Sequence, residues 1–105
     1  MLVLGRAKGE SVMVGDTIEV VVRMVDSKEA CLVMRDHTEN TNKVHFLKLN
    51  SPHELMPDVW LQVVMLRQAY DGSKAKIRLG FDAPRSIPIF RYEVYAERQA
   101  EAAHR

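Results

Sequence analysis

The sequence predicts a mainly β fold, an antiparallel sheet or barrel with one C-terminal α-helix. Three observations support this prediction: short apolar segments alternate with polar residues, polar or glycine-containing turns separate them, and the last part of the chain is rich in helix formers. A chain of 105 residues can bury one compact core and is too short for two ordinary domains. We therefore predict a single domain over residues 1–105.

The N-terminal segments have strand character. Leu2–Ala7 and Ser11–Val14 are apolar and are separated by Lys8, Gly9 and Glu10, which predicts a tight hairpin. In Ile18–Val25, apolar and charged residues alternate, as expected for a half-buried strand. The first 25 residues thus predict three strands.

The middle of the chain is less regular. A polar turn over 26–29 leads into a strand over 30–34, residues 35–42 predict a polar loop, and 43–49 predict a further strand. Residues 51–56 resemble one helical turn, with Ser51 as N-cap, Pro52 at its first position and Pro57 ending it.

The C-terminal part predicts a second hairpin and then the helix. Residues 59–67 and 74–81 are strand segments around a turn at 70–73. A short strand follows over 86–90, where Pro88 lacks an amide donor and so favours a sheet edge. Helix formers then extend from 91 to about 104.

A weak internal repeat is also present. Residues 18–35 and 61–80 each contain an apolar strand, a polar turn with Ser-Lys, and a second apolar strand. Unrelated hairpins often share such a pattern, so the sequence leaves duplication open.

Charge and composition exclude several protein classes. The net charge of +1 is too small for a protein that binds duplex DNA mainly through its phosphates. Residues 67–105 nevertheless carry eight basic and five acidic side chains, which favours a polyanion at the C-terminal third. The sequence has no apolar stretch long enough for a membrane helix and no secretory signal, and Cys31 has no second cysteine to pair with. We expect a cytoplasmic protein with no membrane partner.

The sequence offers no enzymatic centre. His37, His45 and His53 recur every eight residues near Cys31, but this is not a compact metal-ligand spacing. There is no glycine-rich phosphate loop after a strand and no nucleophile motif. We therefore expect no catalysis, no metal and no cofactor.

Two separate blocks of the sequence carry a recognisable pattern. The blocks are MLVLGR, GE and MVGD within residues 1–16, and IRLGFDAPR with Ile87, Ile89, Arg91, Glu93, Val94 and Tyr95 within residues 77–95. The N-terminal block resembles the first two strands of the CsrA/RsmA carbon storage regulator family, and the C-terminal block its fourth strand, Ala-Pro turn, last strand and helix start. Together with Ile18–Val25 the blocks cover about 45 to 50 residues of that family's pattern.

The chain departs from the family pattern by about 40 extra residues between the third-strand and fourth-strand patterns. In one alignment, about 26–58 is an insertion with its own hairpin that decorates the sheet edge. In the other, residues 18–49 are a degenerate copy of strands three to five and residues 61–90 are the working copy. The sequence does not choose between insertion and degenerate repeat.

The resemblance implies a sequence-specific RNA-binding translational regulator. In the family, a GGA-containing loop of an mRNA leader or small regulatory RNA lies against the first strand of one subunit and the last strand of the other. It also implies an intertwined homodimer, since one chain has only one 1–6 segment. Carried over, the RNA-binding residues are Leu4, Arg6, Ile87, Ile89, Arg91 and Val94, with possible additional contacts from Lys8 and Arg85.

Arg91 is the strongest of these candidates on chemical grounds. A guanidinium has five donors in a planar fork that can bind phosphate or guanine and stack on a base. From the residue alone, a surface salt bridge would be the commoner role of Arg91.

The sequence also motivates a second hypothesis. Ala7 stands where the family commonly has a basic residue, and Pro88 replaces a smaller or polar residue near the last strand. With the extra central residues, these departures motivate a protein-interaction module that modulates other CsrA-family members without binding RNA.

Overall fold

The computed structural model describes residues 1–67 and 75–103. In these residues the chain forms strands in antiparallel pairs and one C-terminal helix, which confirms the predicted mainly β fold with a C-terminal helix. The elements are β1 Leu2–Ala7, β2 Ser11–Val14, β3 Ile18–Val25, β4 Glu29–Asp36, β5 Thr41–Lys48, β6 His53–Met56, β7 Val59–Arg67, β8 Lys76–Asp82, β9 Ile89–Arg91 and α1 Tyr92–Ala103.

The strands form two sheets. Sheet A has the order β1-β8-β7-β6, and sheet B has the order β5-β4-β3-β2-β9. The buried apolar side chains of both sheets form one core, so the sheets pack as two layers. Its fully buried members of largest volume are Phe81, Leu32, Leu61, Ile77, Leu79, Val12, Val14, Val20, Val22, Val59 and Val63.

The predicted hairpin between β1 and β2 is wrong, because the two strands belong to different sheets. The turn between them is a corner. Lys8 donates its amide to the Ala75 carbonyl in sheet A (3.0 Å), whereas the amide of Gly9 bonds to the Val22 carbonyl in sheet B (2.7 Å). Gly9 has a φ of 89°, which a residue with a side chain rarely adopts. This backbone reversal directs the chain from one layer to the other.

The predicted helical turn at 51–56 is also wrong. His53–Met56 is strand β6, which pairs with β7 through a tight turn containing Asp58 at φ 67°. Four residues between Pro52 and Pro57 close too few helical bonds to offset nucleation, whereas pairing with β7 supplies partners at once.

Smaller differences concern element ends. β4 is longer than predicted, and the predicted polar loop shrinks to residues 37–40, where the Asp36 carboxylate accepts bonds from the amides of Thr38 and Glu39. The last strand is Ile89–Arg91 rather than 86–90. The predicted turn at 70–73 lies outside the described residues.

The two sheets share one internal topology. β5, β4, β3 and β2 in sheet B pair in the same succession as β1, β8, β7 and β6 in sheet A. The register shift in the β3/β4 pair lies between Val22 and Met24, and that in the β7/β8 pair lies between Val63 and Met65. These positions are equivalent, so the second and third strands of each set match residue by residue, whereas β6 has a register shift between Glu54 and Met56 that β2 lacks.

The corner after β1 is matched as well. Asn50, after β5, has a φ of 60° and donates its amide to the Val63 carbonyl (2.8 Å), as Gly9 does to Val22. β5 therefore occupies in sheet B the place that β1 occupies in sheet A. Residues 26–58 contribute β4 and β5 to sheet B and β6 to sheet A. Insertion and degenerate repeat both stay predictions. The topology matches β3 and β4 with β7 and β8, as the degenerate-repeat alignment requires, but it matches β5 with the first strand β1 rather than with the last strand.

The equivalence stops at the last strand. β9 pairs with the outer edge of β2, whereas no strand of the described residues pairs with the outer edge of β6. The two sheets therefore differ in the described residues: sheet B has β9 beside β2, and sheet A has no corresponding strand beside β6. None of the described helices is long and apolar enough to span a membrane.

Candidate nucleic-acid interface

The first strand and the start of the helix are joined by an ion pair. The Arg6 guanidinium donates to both carboxylate oxygens of Glu93, at 2.7 and 2.9 Å. β1 is an edge strand of sheet A, and Glu93 follows β9, an edge strand of sheet B. This bidentate contact therefore brings together the two strands that the resemblance assigns to the RNA site, and both come from one chain.

Arg6 is enclosed by further acceptors. Its side chain also donates to the Ser11 carbonyl (3.2 Å) and the Gly5 carbonyl (3.0 Å), and Glu10 lies 3.9 Å away. The hydrogen bond to Glu93 raises the pKa of Arg6, and the same bond lowers the pKa of Glu93 to about 2. Only 7% of Arg6 is exposed, so its guanidinium is buried in the ion pair that connects β1 to α1.

The main-chain groups of β1 divide between its two edges. Because Lys8 donates to Ala75, the residue just before β8, the strand period of two also turns the main-chain groups of Leu4 and Arg6 toward β8. Those of Val3 and Gly5 then face the open edge. Leu4 itself is a core residue, 8% exposed. Leu4, a predicted RNA-binding residue, therefore packs its side chain in the core, while the neighbouring main-chain groups of β1 lie at the exposed strand edge.

A groove lies where the start of β1 meets the segment before β9. It is a concavity of about 300 Å³. Three predicted residues, Arg85, Ile87 and Ile89, line it. The full lining is Met1, Leu2, Phe81, Asp82, Ala83, Pro84, Arg85, Ile87 and Ile89, hereafter the end groove.

Turn contacts hold the C-terminal wall of the end groove. The Ile87 amide donates to the Pro84 carbonyl (3.0 Å), and the Gly15 amide donates to the Pro88 carbonyl (2.8 Å). Pro88 thus lies just before β9 and contributes an acceptor, which offsets its missing donor. The first bond closes the Ala-Pro turn, and the second ties the residue before β9 to the residue after β2.

Arg91 and Val94 lie beside this wall. Arg91 is the exposed last residue of β9, opposite Val12 in the register, and Val94 is half-buried in the first turn of α1. The helix is held on β9 by Arg98, whose guanidinium lies 4.5 Å from the centre of the Phe90 ring.

The structure does not gather every predicted residue into the groove. Lys8 is exposed at the corner between β1 and β2, and Leu4 and Arg6 are not in the groove lining. The sequence interpretation did not identify Glu93 as the partner of Arg6. No local signal could have done so, because the two residues are 87 positions apart.

The histidines occupy different surroundings. His45 and His53 have ring centres 4.4 Å apart, and burial together with neighbouring His53 and Lys43 lowers the pKa of His45. His37 contacts Glu19 at 2.9 Å. Within the described ranges, no group of three or more His, Cys, Asp or Glu side chains is arranged to hold a metal ion.

Comparison with known families identifies the C-terminal segment. Residues 63–100 match the family described as CsrA, the global regulator protein family. This match covers less than half of the 105-residue chain and contains β8, β9 and most of β7 and α1. Regulators of this family are non-enzymatic RNA-binding proteins. Searches of curated proteins and of solved structures gave no match.

Proposed function

From the CsrA global regulator segment at residues 63–100, we propose that this protein is an RNA-binding post-transcriptional regulator. Its RNA ligand is a single-stranded GGA-containing loop in an mRNA leader or a small regulatory RNA. Sequence-specific recognition of RNA targets such loops because their base edges are accessible. Binding near a ribosome-binding site would block initiation by occupancy, in the cytoplasm.

The observation that carries the proposal is the Arg6–Glu93 contact, which holds the open edge of β1 beside the end of β9. Around this contact lie three features that suit an extended nucleotide strand. They are the edge-facing main-chain groups of Val3 together with the Gly5 amide, the end groove and the exposed guanidinium of Arg91. Together they offer main-chain donors and acceptors, an apolar wall and a cation.

The proposed residues divide into three roles. Arg91 contacts a guanine edge or phosphate, because its fork is exposed. Arg6 is a positioning residue, since its donors are already occupied, and Leu4 supports β1 from the core. The remaining residues shape the groove or contact phosphates: Ile87, Ile89 and Val94 by packing, Lys8 and Arg85 by charge.

The predicted homodimer would add a second groove. One chain already contributes both β1 and β9 to a groove, so a second chain is not needed to complete the first. In a dimer, two grooves could bind two loops of one RNA with increased effective concentration. Light scattering at micromolar protein concentration would distinguish a mass of 12.0 kDa from twice that value.

The test is a titration of the protein with a hairpin carrying GGA in its loop and with the same hairpin after mutation of GGA. Arg91→Ala should weaken the GGA complex about tenfold or more, because one charge-assisted bidentate contact is worth about 1–3 kcal/mol. Arg23→Ala is the control, since Arg23 is also exposed but lies on β3, two strands from β9.

The proposed site would be wrong if Arg91→Ala and Arg23→Ala proteins bound the GGA hairpin equally tightly. Circular dichroism spectra of both variants should match that of the parent. If the spectrum of Arg91→Ala showed a change in fold, the hairpin titration would be repeated with Arg91→Lys, which retains the charge but loses the planar fork.

A protein-interaction module is the second candidate function. The observations that favour it are the enclosed guanidinium of Arg6 and the uncharged Ala7, which together leave the β1 edge with little free positive charge. Such a module would bind neither hairpin and would alter RNA binding by another CsrA-family protein mixed with it. The same titration, repeated with that protein present, separates the two functions.

A further inference from the structure

The outer face of sheet A carries three cations next to the β1 edge. Arg67 on β7 and Lys76 and Arg78 on β8 are all exposed, while Ile77 and Leu79 between them are buried in the core. The strand alternation therefore directs the three cationic side chains to the same outer face. We call this set, Arg67, Lys76 and Arg78, the basic face.

The register places like charges directly opposite each other. Arg67 is the cross-strand partner of Lys76, and Arg78 lies two positions along β8 from Lys76. Like charges at directly opposed positions repel each other and destabilise a sheet. In the described part of the chain, no carboxylate lies within ion-pair distance of these three side chains. An anion bound between them would remove this repulsion.

The basic face has a concave shape rather than a flat one. A concavity of about 390 Å³ is lined by all three cations, together with Met65 and Ile77 beneath them. Its other wall is the β1 segment Gly5, Arg6 and Ala7, with Glu10 at the rim. The concavity thus adjoins the open edge of β1 along which the proposed RNA loop lies.

The internal equivalence of the two sheets provides a built-in comparison. Residues that lie side by side across neighbouring strands form a row. In sheet A one such row consists of Arg67, Lys76 and Ala7, and the equivalent positions in sheet B are Asp26, Glu29 and Lys48. Glu29 and Lys48 are opposite in charge and directly paired, which is the ordinary arrangement of a solvated sheet surface. At the positions of Arg67 and Lys76, the described part of sheet B has the acidic residues Asp26 and Glu29, so the cationic row belongs to sheet A.

We propose that the basic face is a second contact surface for RNA, which binds backbone phosphates of the stem that flanks the loop. This inference rests on the proposed function for the identity of the polyanion. Leu2 in the end groove and residues 5–7 beside the basic face are three to five positions apart on β1, which is about 10–17 Å at about 3.3 Å per residue. A loop in the groove would therefore place its stem across Gly5 and Ala7 toward the three cations.

Phosphate contacts orient a nucleic acid but do not read its sequence. The basic face should consequently add affinity to every hairpin by a similar factor, and that affinity should fall steeply with salt. Each phosphate contact contributes a slope of about −0.7 to −0.9 to a plot of log K against log salt concentration. Three cations that bind two to three phosphates would thus contribute about −1.5 to −2.5 to the slope.

The experiment measures binding of the full chain to the GGA hairpin and to the GGA-mutated hairpin between 50 and 250 mM KCl, about the range in which such slopes are resolved. The test protein carries Arg67→Gln, Lys76→Gln and Arg78→Gln. The matched control carries Lys28→Gln, Lys48→Gln and Arg35→Gln, which also removes three positive charges, but from sheet B and its β3–β4 turn. Thermal unfolding of both proteins checks that they remain folded.

The expected result is a salt slope about 1.5 to 2.5 shallower for the test protein than for the control, with the ratio of affinities for the two hairpins unchanged. Equal slopes for the two variants would overturn the inference. A parent protein that binds both hairpins equally, with a shallower slope in the test protein, would overturn GGA recognition but support the basic face. Failure of the parent to bind either hairpin would overturn both.

Discussion

Arg6 on the first strand and Glu93 on the helix are 87 residues apart in sequence and form a two-point ion pair at 2.7 and 2.9 Å. The contact joins the edges of two different sheets at one end of the molecule. It has an asymmetric environment, because the Arg6 side chain is 6% exposed and the Glu93 side chain is 57% exposed. Loss of the arginine and loss of the carboxylate should therefore have different consequences.

Arg6→Ala should lower the free energy of unfolding by about 1.5–3 kcal/mol, because it removes hydrogen bonds between charged groups and the packing of the buried arginine stem. The matched control is Arg35→Ala. Arg35 is 51% exposed and 4.0 Å from Glu19, so its loss should cost under about 0.5 kcal/mol. Urea unfolding monitored by circular dichroism measures both. Similar losses in the two variants would contradict the buried, multiply bonded position of Arg6.

The ion pair also predicts a pH dependence. The Arg6 hydrogen bond lowers the pKa of Glu93 from its ordinary 4.5 to about 2. A carboxyl group whose pKa is lower in the folded state stabilises the fold above its unfolded pKa, and this contribution is lost as pH falls through the folded pKa. Because Glu93 is more than half exposed, solvent screening limits the contribution to under about 1 kcal/mol.

The measurement compares the melting temperatures of the parent and Glu93→Gln between pH 7 and pH 2. The parent should melt at the higher temperature at pH 7, and the difference should shrink from about pH 4.5 downward and vanish near pH 2. A difference that grew on acidification would mean that the sign of the pKa shift is wrong.

The shared core predicts cooperative unfolding of both sheets. Leu32 in sheet B and Leu79 in sheet A are fully buried at equivalent positions, so Leu32→Ala and Leu79→Ala should each cost about 2–5 kcal/mol. Each variant should still unfold in one transition, detected by calorimetry. Val44→Ala is the control, with an effect under about 0.5 kcal/mol, since Val44 is 47% exposed. Two separate transitions would show that the sheets are independent units.

The corner after β1 predicts that glycine is required at position 9, whereas the glycine at position 5 within β1 can be replaced. Gly9→Ala should cost about 1–2 kcal/mol, because a Cβ is disfavoured at φ 89°. At Gly5, a Cβ would meet nothing within 4 Å, so Gly5→Ala should change stability by less than about 0.5 kcal/mol. Thermal melts of the two variants test this, and equal melting temperatures would refute a strained corner.

Strand positions were the most predictable part of the fold. The alternation in Ile18–Val25 and the apolar segments Leu2–Ala7, Ser11–Val14 and Val59–Arg67 gave the bounds that the structure has. Residues 51–56 were predicted wrongly, because local capping signals matched a helical turn whereas pairing with β7 decided the outcome. Local patterns were informative where burial repeats every second residue, and misleading where pairing with a neighbouring strand, rather than the segment's own capping residues, decided the conformation.

The candidate site was predictable only through the family resemblance and only in part. The structure places Arg85, Ile87 and Ile89 on one groove wall, as expected for residues close together in sequence. The enclosure of Arg6 by Glu93 and the cross-strand pair Arg67 and Lys76 depend on elements that meet from distant parts of the chain. Spacing along the sequence carries no information about such contacts.

The sequence by itself determined where most strands lie, which of their faces are apolar and that the C-terminal segment resembles an RNA-binding regulator. Tertiary structure alone decided that β1 and β2 belong to different sheets, that β5 takes the place of a first strand, and that the Arg6–Glu93 ion pair joins β1 to the start of α1. The physical reason is that alternation specifies which face of a strand is buried but not which strand lies beside it. The partner of each strand edge is chosen by the packing of the whole core.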